Sequence, residues 1–214
     1  SLFKDQGISV WAEPGKLNTR DDDFRPLQWL GTNDKFYFTR TSRDRKKVDI
    51  CVADIVTGSI KTLIEERFNT YIETRRLGLV NDGKELIQWS ERDGYAHFYL
   101  YDENGKLKNQ ITSGTYPVEN ILGIDEAKRI LYFSANGKET GEDPYYLHAY
   151  KVNFDGSGLK LLNPGEFEHA MILNDGKSFF VDNYSRINTV PKSTLYAADG
   201  RKIMDIETAD LSSL

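Results

Sequence analysis

A single cysteine, Cys51, excludes an internal disulfide framework and a zinc site built on thiolates. The three histidines, His97, His148 and His169, lie far apart with no H-x-x-x-H or similar spacing, so no metal site is expected. No apolar run approaches the roughly 20 residues a membrane-spanning helix needs. The phosphate-cradling loops G-x-x-x-x-G-K-[ST] and G-x-G-x-x-G are both missing, which leaves no cofactor to expect. Positive charge is scattered outside Arg40–Lys47, and the formal net charge of -5 argues against a nucleic-acid partner. The nucleophile elbow G-x-S-x-G is absent as well. Gly156-Ser157-Gly158 reads as a loop between strands, and no alternation of strand and helix is present to build a hydrolase sheet.

What the chain does have is aromatic residues and turns. Its 12 Tyr, 11 Phe and 3 Trp favour pleated, half-buried surfaces, and a 29% charged share marks it as globular. The most informative stretch is Trp89-Ser90-Glu91-Arg92-Asp93-Gly94-Tyr95-Ala96-His97-Phe98-Tyr99-Leu100-Tyr101. It predicts two strands joined by a polar turn, because glycine after Asp93 enters positive φ without steric penalty.

That hairpin recurs. Four short strands are expected in Leu27–Leu30, Lys35–Arg40, Asp49–Asp54 and Ile60–Ile64, with a polar hairpin at Ser42–Lys47. The same order returns three times. The first internal turn falls at Asp34, Asp82, Glu126 and Asp175, at intervals of 48, 44 and 49 residues. The third strand falls at Ile50, Phe98, Tyr146 and Leu195, at intervals of 48, 48 and 49 residues. An even beat of four-stranded meanders is the signature of propeller blades. The expected fold is all-β, a partial β-propeller of about four four-stranded antiparallel blades over 27–214, with 1–26 the remnant of a preceding blade or an N-terminal extension. One such sheet buries its faces only against neighbours. An open arc therefore predicts self-association through uncovered terminal faces.

Candidate site residues each carry a plain structural reading. Asp21-Asp22-Asp23 reads as a solvated turn, and Arg40–Lys47 as a solvated hairpin. Cys51 reads as a small core residue. His97 is expected to hydrogen-bond its own hairpin. Glu91, Arg92 and Asp93 form the sharpest cluster. Arg92 is expected to bridge carboxylates and pin the hairpin to a neighbour, with Asp93 receiving turn amides. Alternatively the three form a rim that docks another domain or frames a substrate entrance. Tyr184–Pro191, including Arg186, reads as a longer polar loop where a downstream domain packs. Asn183-Tyr184-Ser185 matches the N-glycosylation pattern.

The motif Trp89–Tyr95 with His97 and Tyr99-Leu100-Tyr101 resembles the blade signature in the N-terminal β-propeller of the dipeptidyl peptidase IV family of prolyl-oligopeptidase-type serine peptidases. Ile130–Asn136 and Phe180–Ser185 with Pro191 and Leu195 add to the resemblance, which covers about 25–210. It implies an eight-bladed propeller capping a C-terminal α/β-hydrolase domain that carries the Ser, Asp and His triad and removes dipeptides from peptide N-termini. This chain is then a non-catalytic fragment that gates and positions peptide substrates, and no catalytic residue is assigned to it. The rim residues are Glu91, Arg92, Asp93, His97, Tyr184 and Arg186. Glu65-Glu66 lacks the helical insertion that accompanies the family's substrate-binding glutamates, and Tyr71, Ile72 and Glu73 match poorly the family's arginine and aromatic substrate contacts. The resemblance further implies a periplasmic or secreted parent, often a dimer. Ser1-Leu2-Phe3-Lys4 is no signal peptide, so the expectation is a piece of a longer protein with any targeting segment removed. A propeller module that binds a protein or glycan, with no peptidase attached, is the alternative.

Overall fold

The computed structural model describes residues 23–32 and 34–210. The expected turns and strands resolve into sixteen strands in four sheets. The first sheet is β1 (Asp23–Trp29), β2 (Lys35–Thr41), β3 (Lys47–Asp54) and β4 (Ser59–Arg67). The second is β5 (Gly78–Val80), β6 (Glu85–Ser90), β7 (His97–Asp102) and β8 (Leu107–Gln110). The third is β9 (Val118–Asp125), β10 (Ile130–Asn136), β11 (Leu147–Asn153) and β12 (Lys160–Leu161). The fourth is β13 (Glu168–Leu173), β14 (Phe179–Arg186), β15 (Thr189–Ala197) and β16 (Lys202–Thr208). Each is an antiparallel meander in chain order, so the fold is a partial β-propeller of four four-stranded blades.

The chain groups into two compact units. One holds the described residues up to Ile87 with Tyr101–Lys108, the other Gln88–Leu100 with Asn109 onward. In the first, Phe36, Phe38, Cys51 and Ala53 form an apolar cluster, and Cys51 is fully buried as expected. In the second, Tyr132, Ala149, Leu162, Phe180 and Ala198 form another, with Phe180 stacked on Tyr196 at 5.0 Å. Phe98 meets Phe133 edge-on at 5.8 Å. Burying side chains of this size stabilises by about 1.5–3 kcal/mol each.

The turns between third and fourth strands share one construction. Asp54, Asp102, Asp155 and Asp199 each accept backbone amides ahead of them, at 2.9–3.0 Å. These amide bonds, preceded at Asp155 by the bond from the Ser157 hydroxyl, lower the pKa of all four carboxyls from the ordinary aspartate value. The turn glycine is fixed by close approach. A Cβ on Gly105 would fall on the carbonyl of Leu63, the corresponding outer strand of the first sheet. On Gly156 it would lie 3.2 Å from the Ile111 carbonyl oxygen, and on Gly200 3.3 Å from that of Leu162. The same contact thus recurs three times, always from a turn glycine to a backbone carbonyl near the end of the preceding sheet.

Three expectations are corrected. The first strand begins at Asp23, not Leu27, so Asp23 belongs to a strand paired with Thr41 rather than to a solvated turn. Asp21, Asp22 and most of 1–26 lie outside the described residues. The long polar loop at Tyr184–Pro191 is a two-residue turn, Ile187-Asn188, between two extended strands. The polar residues of the run misled the reading, and even Pro191 lies inside β15. It sits where the register shifts between Tyr184 and Arg186, so its missing N–H costs no ladder bond. Finally, the hairpin at Arg40–Lys47 is not wholly solvated: Arg40 and Arg67 both reach the buried Asp49, each at 2.5 Å.

Candidate functional site

The rim residues fall at the hairpin end of the sheets, where second and third strands turn. In the Glu91–Ala96 hairpin, the Gly94 amide donates to the Glu91 carbonyl at 3.0 Å. Arg92 donates to Gln88 Oε1 at 3.1 Å and to Ser90 Oγ at 3.2 Å, and its guanidinium lies 4.5 Å from the centre of the Tyr99 ring. Asp93 accepts the Tyr99 hydroxyl at 2.6 Å, in place of the expected turn amides. These contacts tie the hairpin to its own strands.

His97 reaches further than its hairpin, contrary to expectation. Its Nε2 lies 3.0 Å from the Gly114 carbonyl and its Nδ1 3.2 Å from Thr112 Oγ1. Because a carbonyl only accepts, Nε2 carries the proton and Nδ1 accepts the threonine hydroxyl. Thr112 Oγ1 in turn accepts the Phe98 amide at 2.9 Å. Burial holds the His97 imidazole below its ordinary pKa, against the opposing pull of the Gly114 carbonyl and the Asp93 charge.

The next sheet repeats this clasp. His148 Nδ1 lies 3.4 Å from the Asn163 carbonyl, and Asn163 Oδ1 accepts the Ala149 amide at 2.8 Å. His148 Nε2 is 2.8 Å from Glu142 Oε2 but out of line for a hydrogen bond. The imidazoles of His148 and His169 are 4.9 Å apart. His169 sits between the fully buried Asp182, 2.8 Å from Nδ1, and the Gly165 carbonyl, 3.0 Å from Nε2. Asn163 Nδ2 donates to the other oxygen of Asp182 at 3.0 Å. Tyr184 packs on His169 at 5.6 Å and on Phe167 at 5.1 Å. Arg186 donates to Glu166 at 2.8 Å and lies over Phe167.

His148 and His169, which sequence spacing kept apart, thus meet in one clasp system, while His97 anchors its own clasp in the preceding sheet. Sequence reading missed a second repeat. His97, Thr112, Gly114 and Tyr116 correspond to His148, Asn163, Gly165 and Phe167, each 51 residues on. Gly114 and Gly165 share left-handed φ values of 131° and 130°. Chemically the His169–Asp182 pair superficially suggests a catalytic dyad. Both ring nitrogens are already engaged, though, with a backbone carbonyl where a nucleophile would stand, so the pair clamps two loops. Among the described residues no group of three or more His, Cys, Asp or Glu could hold a metal ion, and no helix is long and apolar enough to cross a membrane.

The family model of the dipeptidyl peptidase IV (DPP IV) N-terminal region matches residues 2–191. The chain belongs to that family. Dipeptidyl peptidase 4 of Trichophyton rubrum is 27% identical over 187 residues, covering 82% of this chain and 23% of the relative. That of Arthroderma otae is 27% identical over 128 residues, covering 59% and 16%. A crystal structure described as a dipeptidyl aminopeptidase IV from Bacteroides ovatus superposes with a TM-score of 0.77 at 22% identity, covering 92% of this chain and 30% of that one. Dipeptidyl peptidase 4 of Porphyromonas gingivalis gives 0.76 at 19%, covering 90% and 27%. The chain spans about a quarter of the length of these relatives. The sequence holds no G-x-S-x-G nucleophile elbow.

Proposed function

We propose that this chain is the propeller segment of a longer dipeptidyl-peptidase-IV-like serine exopeptidase, where it borders an α/β-hydrolase domain and gates and positions peptide substrates. The observation that carries this reading is the hairpin end of the second unit. There Tyr95, Tyr145 and Ile187, one from each hairpin, expose large apolar side chains, at 44%, 85% and 104%. Behind them lie the Arg92–Tyr99–Asp93 and Arg186–Glu166 contacts and the histidine clasps, which hold the loops rigid. Exposed apolar tips on a stiff base suit docking against another domain. The relatives' names support a peptidase, and a periplasmic or secreted setting follows from the same reading.

The test uses the full-length parent. Tyr145→Asp with Ile187→Asp is expected to reduce release of dipeptides from X-Pro or X-Ala substrates by about tenfold or more, with the propeller's thermal transition unchanged. A parent that releases no dipeptide while its nucleophile is intact would overturn the assignment in favour of a module that binds a protein or glycan.

A further inference from the structure

The loop between β10 and β11 carries Lys138, whose Nζ lies 5.7 Å from the centre of the Tyr116 ring and 5.6 Å from that of Tyr150. Both rings are nearly fully buried. Glu139 accepts the Tyr150 hydroxyl at 2.9 Å, and its Oε1 is 3.6 Å from Nζ, an ion pair beyond hydrogen-bond reach. The Tyr116 hydroxyl is buried without a hydrogen-bond partner. Burial, then Glu139, then Tyr116 and Glu142 push the Tyr150 hydroxyl well above its ordinary pKa, so it stays a neutral ring and donor. Two aromatic faces and a carboxylate are the chemistry that recognises an ammonium ion.

Lys138 fits that cradle incompletely. Its three donors make no hydrogen bond among the described residues, while the Tyr116 hydroxyl beside it lacks one too. Lys138 also hangs from a loop outside the strand ladder, so lifting it breaks no sheet bond. We propose that Tyr116, Tyr150 and Glu139 form a binding site for a primary alkylammonium group, the lysine side chain of a partner polypeptide, and that Lys138 is its tethered stand-in. The unbranched stem of Lys138 shows the shape the site accepts. A tether acts as a local concentration of competitor, on the order of millimolar for a short linker. The site shares the 137–146 hairpin with Tyr145 but does not depend on a hydrolase domain.

The probe is Nα-acetyl-lysine N-methylamide, titrated into the 214-residue chain and followed by the aromatic proton resonances of Tyr116 and Tyr150. Lys138→Met, which keeps the stem and loses only the charge, and Lys138→Ala are expected to saturate at ten times lower probe concentration or less. Adding Tyr116→Leu should remove the response, and the norleucine analogue should give none. In the unaltered chain, high probe concentration should move the Lys138 ε-methylene protons from a ring-shifted position towards the ordinary one, a readout needing no variant to fold. An unmoved Lys138 resonance, equal responses in parent and variants, or equal binding of the norleucine analogue would each overturn the proposal.

Discussion

The third and fourth sheets share a plan but differ in what covers them. In the third, neighbouring residues Tyr132 and Phe133 point to opposite faces, and both are buried, at 2% and 0% exposure. In the fourth, Phe180 at 1% lies on the face that packs with Tyr132. The opposite face carries Ile172, Val181, Leu195 and Met204 in one cross-strand row, of which Ile172 is 65% and Met204 54% exposed. All of β16 is exposed. The difference teaches that each sheet is built for two neighbours, and that its second face is apolar whether or not a neighbour is present.

The largest expected effect breaks the covered side. Phe180→Ala should cost about 3–5 kcal/mol, the range for losing a buried aromatic, whereas Met204→Ala should cost under about 0.5 kcal/mol as a surface change. Urea midpoints measure both. The uncovered row should also drive self-association, so the 214-residue chain is expected to elute larger with rising concentration and Met204→Lys to suppress this; a concentration-independent monomer would refute it.

A smaller effect concerns spacing between sheets. Gly105→Ala should cost about 2–4 kcal/mol, because left-handed strain adds to a collision with the Leu63 backbone. Gly94→Ala has similar strain but open space around it, and should cost about 1 kcal/mol. Equal losses would show that conformation alone explains the glycine.

The smallest effect is a slope with pH. The folded state holds His97 below its unfolded value of roughly 6.5, so the unfolded chain binds more protons there. Stability is complete above that value and declines as pH falls through the lowered one. His97→Gln should flatten this slope while leaving the further loss below about pH 4, where the turn aspartates protonate.

The blades were legible because their signal is local: a turn residue, an alternating strand, and an interval of 44 to 49 residues repeated often enough to count, although Tyr146 falls just ahead of β11 and the matching residues there are 51 apart. The expected strand Lys35–Arg40 stops one residue short of β2. The histidine clasps were not legible, because their partners are backbone carbonyls and an amide in loops of low periodicity, and the 51-residue repeat changes Thr112 to Asn163 and Tyr116 to Phe167. The polar run Tyr184–Pro191 shows the opposite failure, a local signal for a loop that two extended strands absorb. The cradle around Lys138 left no sequence trace, since Tyr116, Lys138 and Tyr150 come from three separate elements.

The glycine-to-carbonyl contact has a bearing on how such chains diverge. It lies at the turns between third and fourth strands and acts as a gauge block, setting the pitch from one sheet to the next at that end alone. The opposite end is released from metering. Its hairpins run from the two residues Ile187-Asn188 to the ten of 137–146. Insertions should accumulate there and be tolerated, leaving one end of the propeller conserved as a ruler and the other free to be rewritten for whatever it must meet.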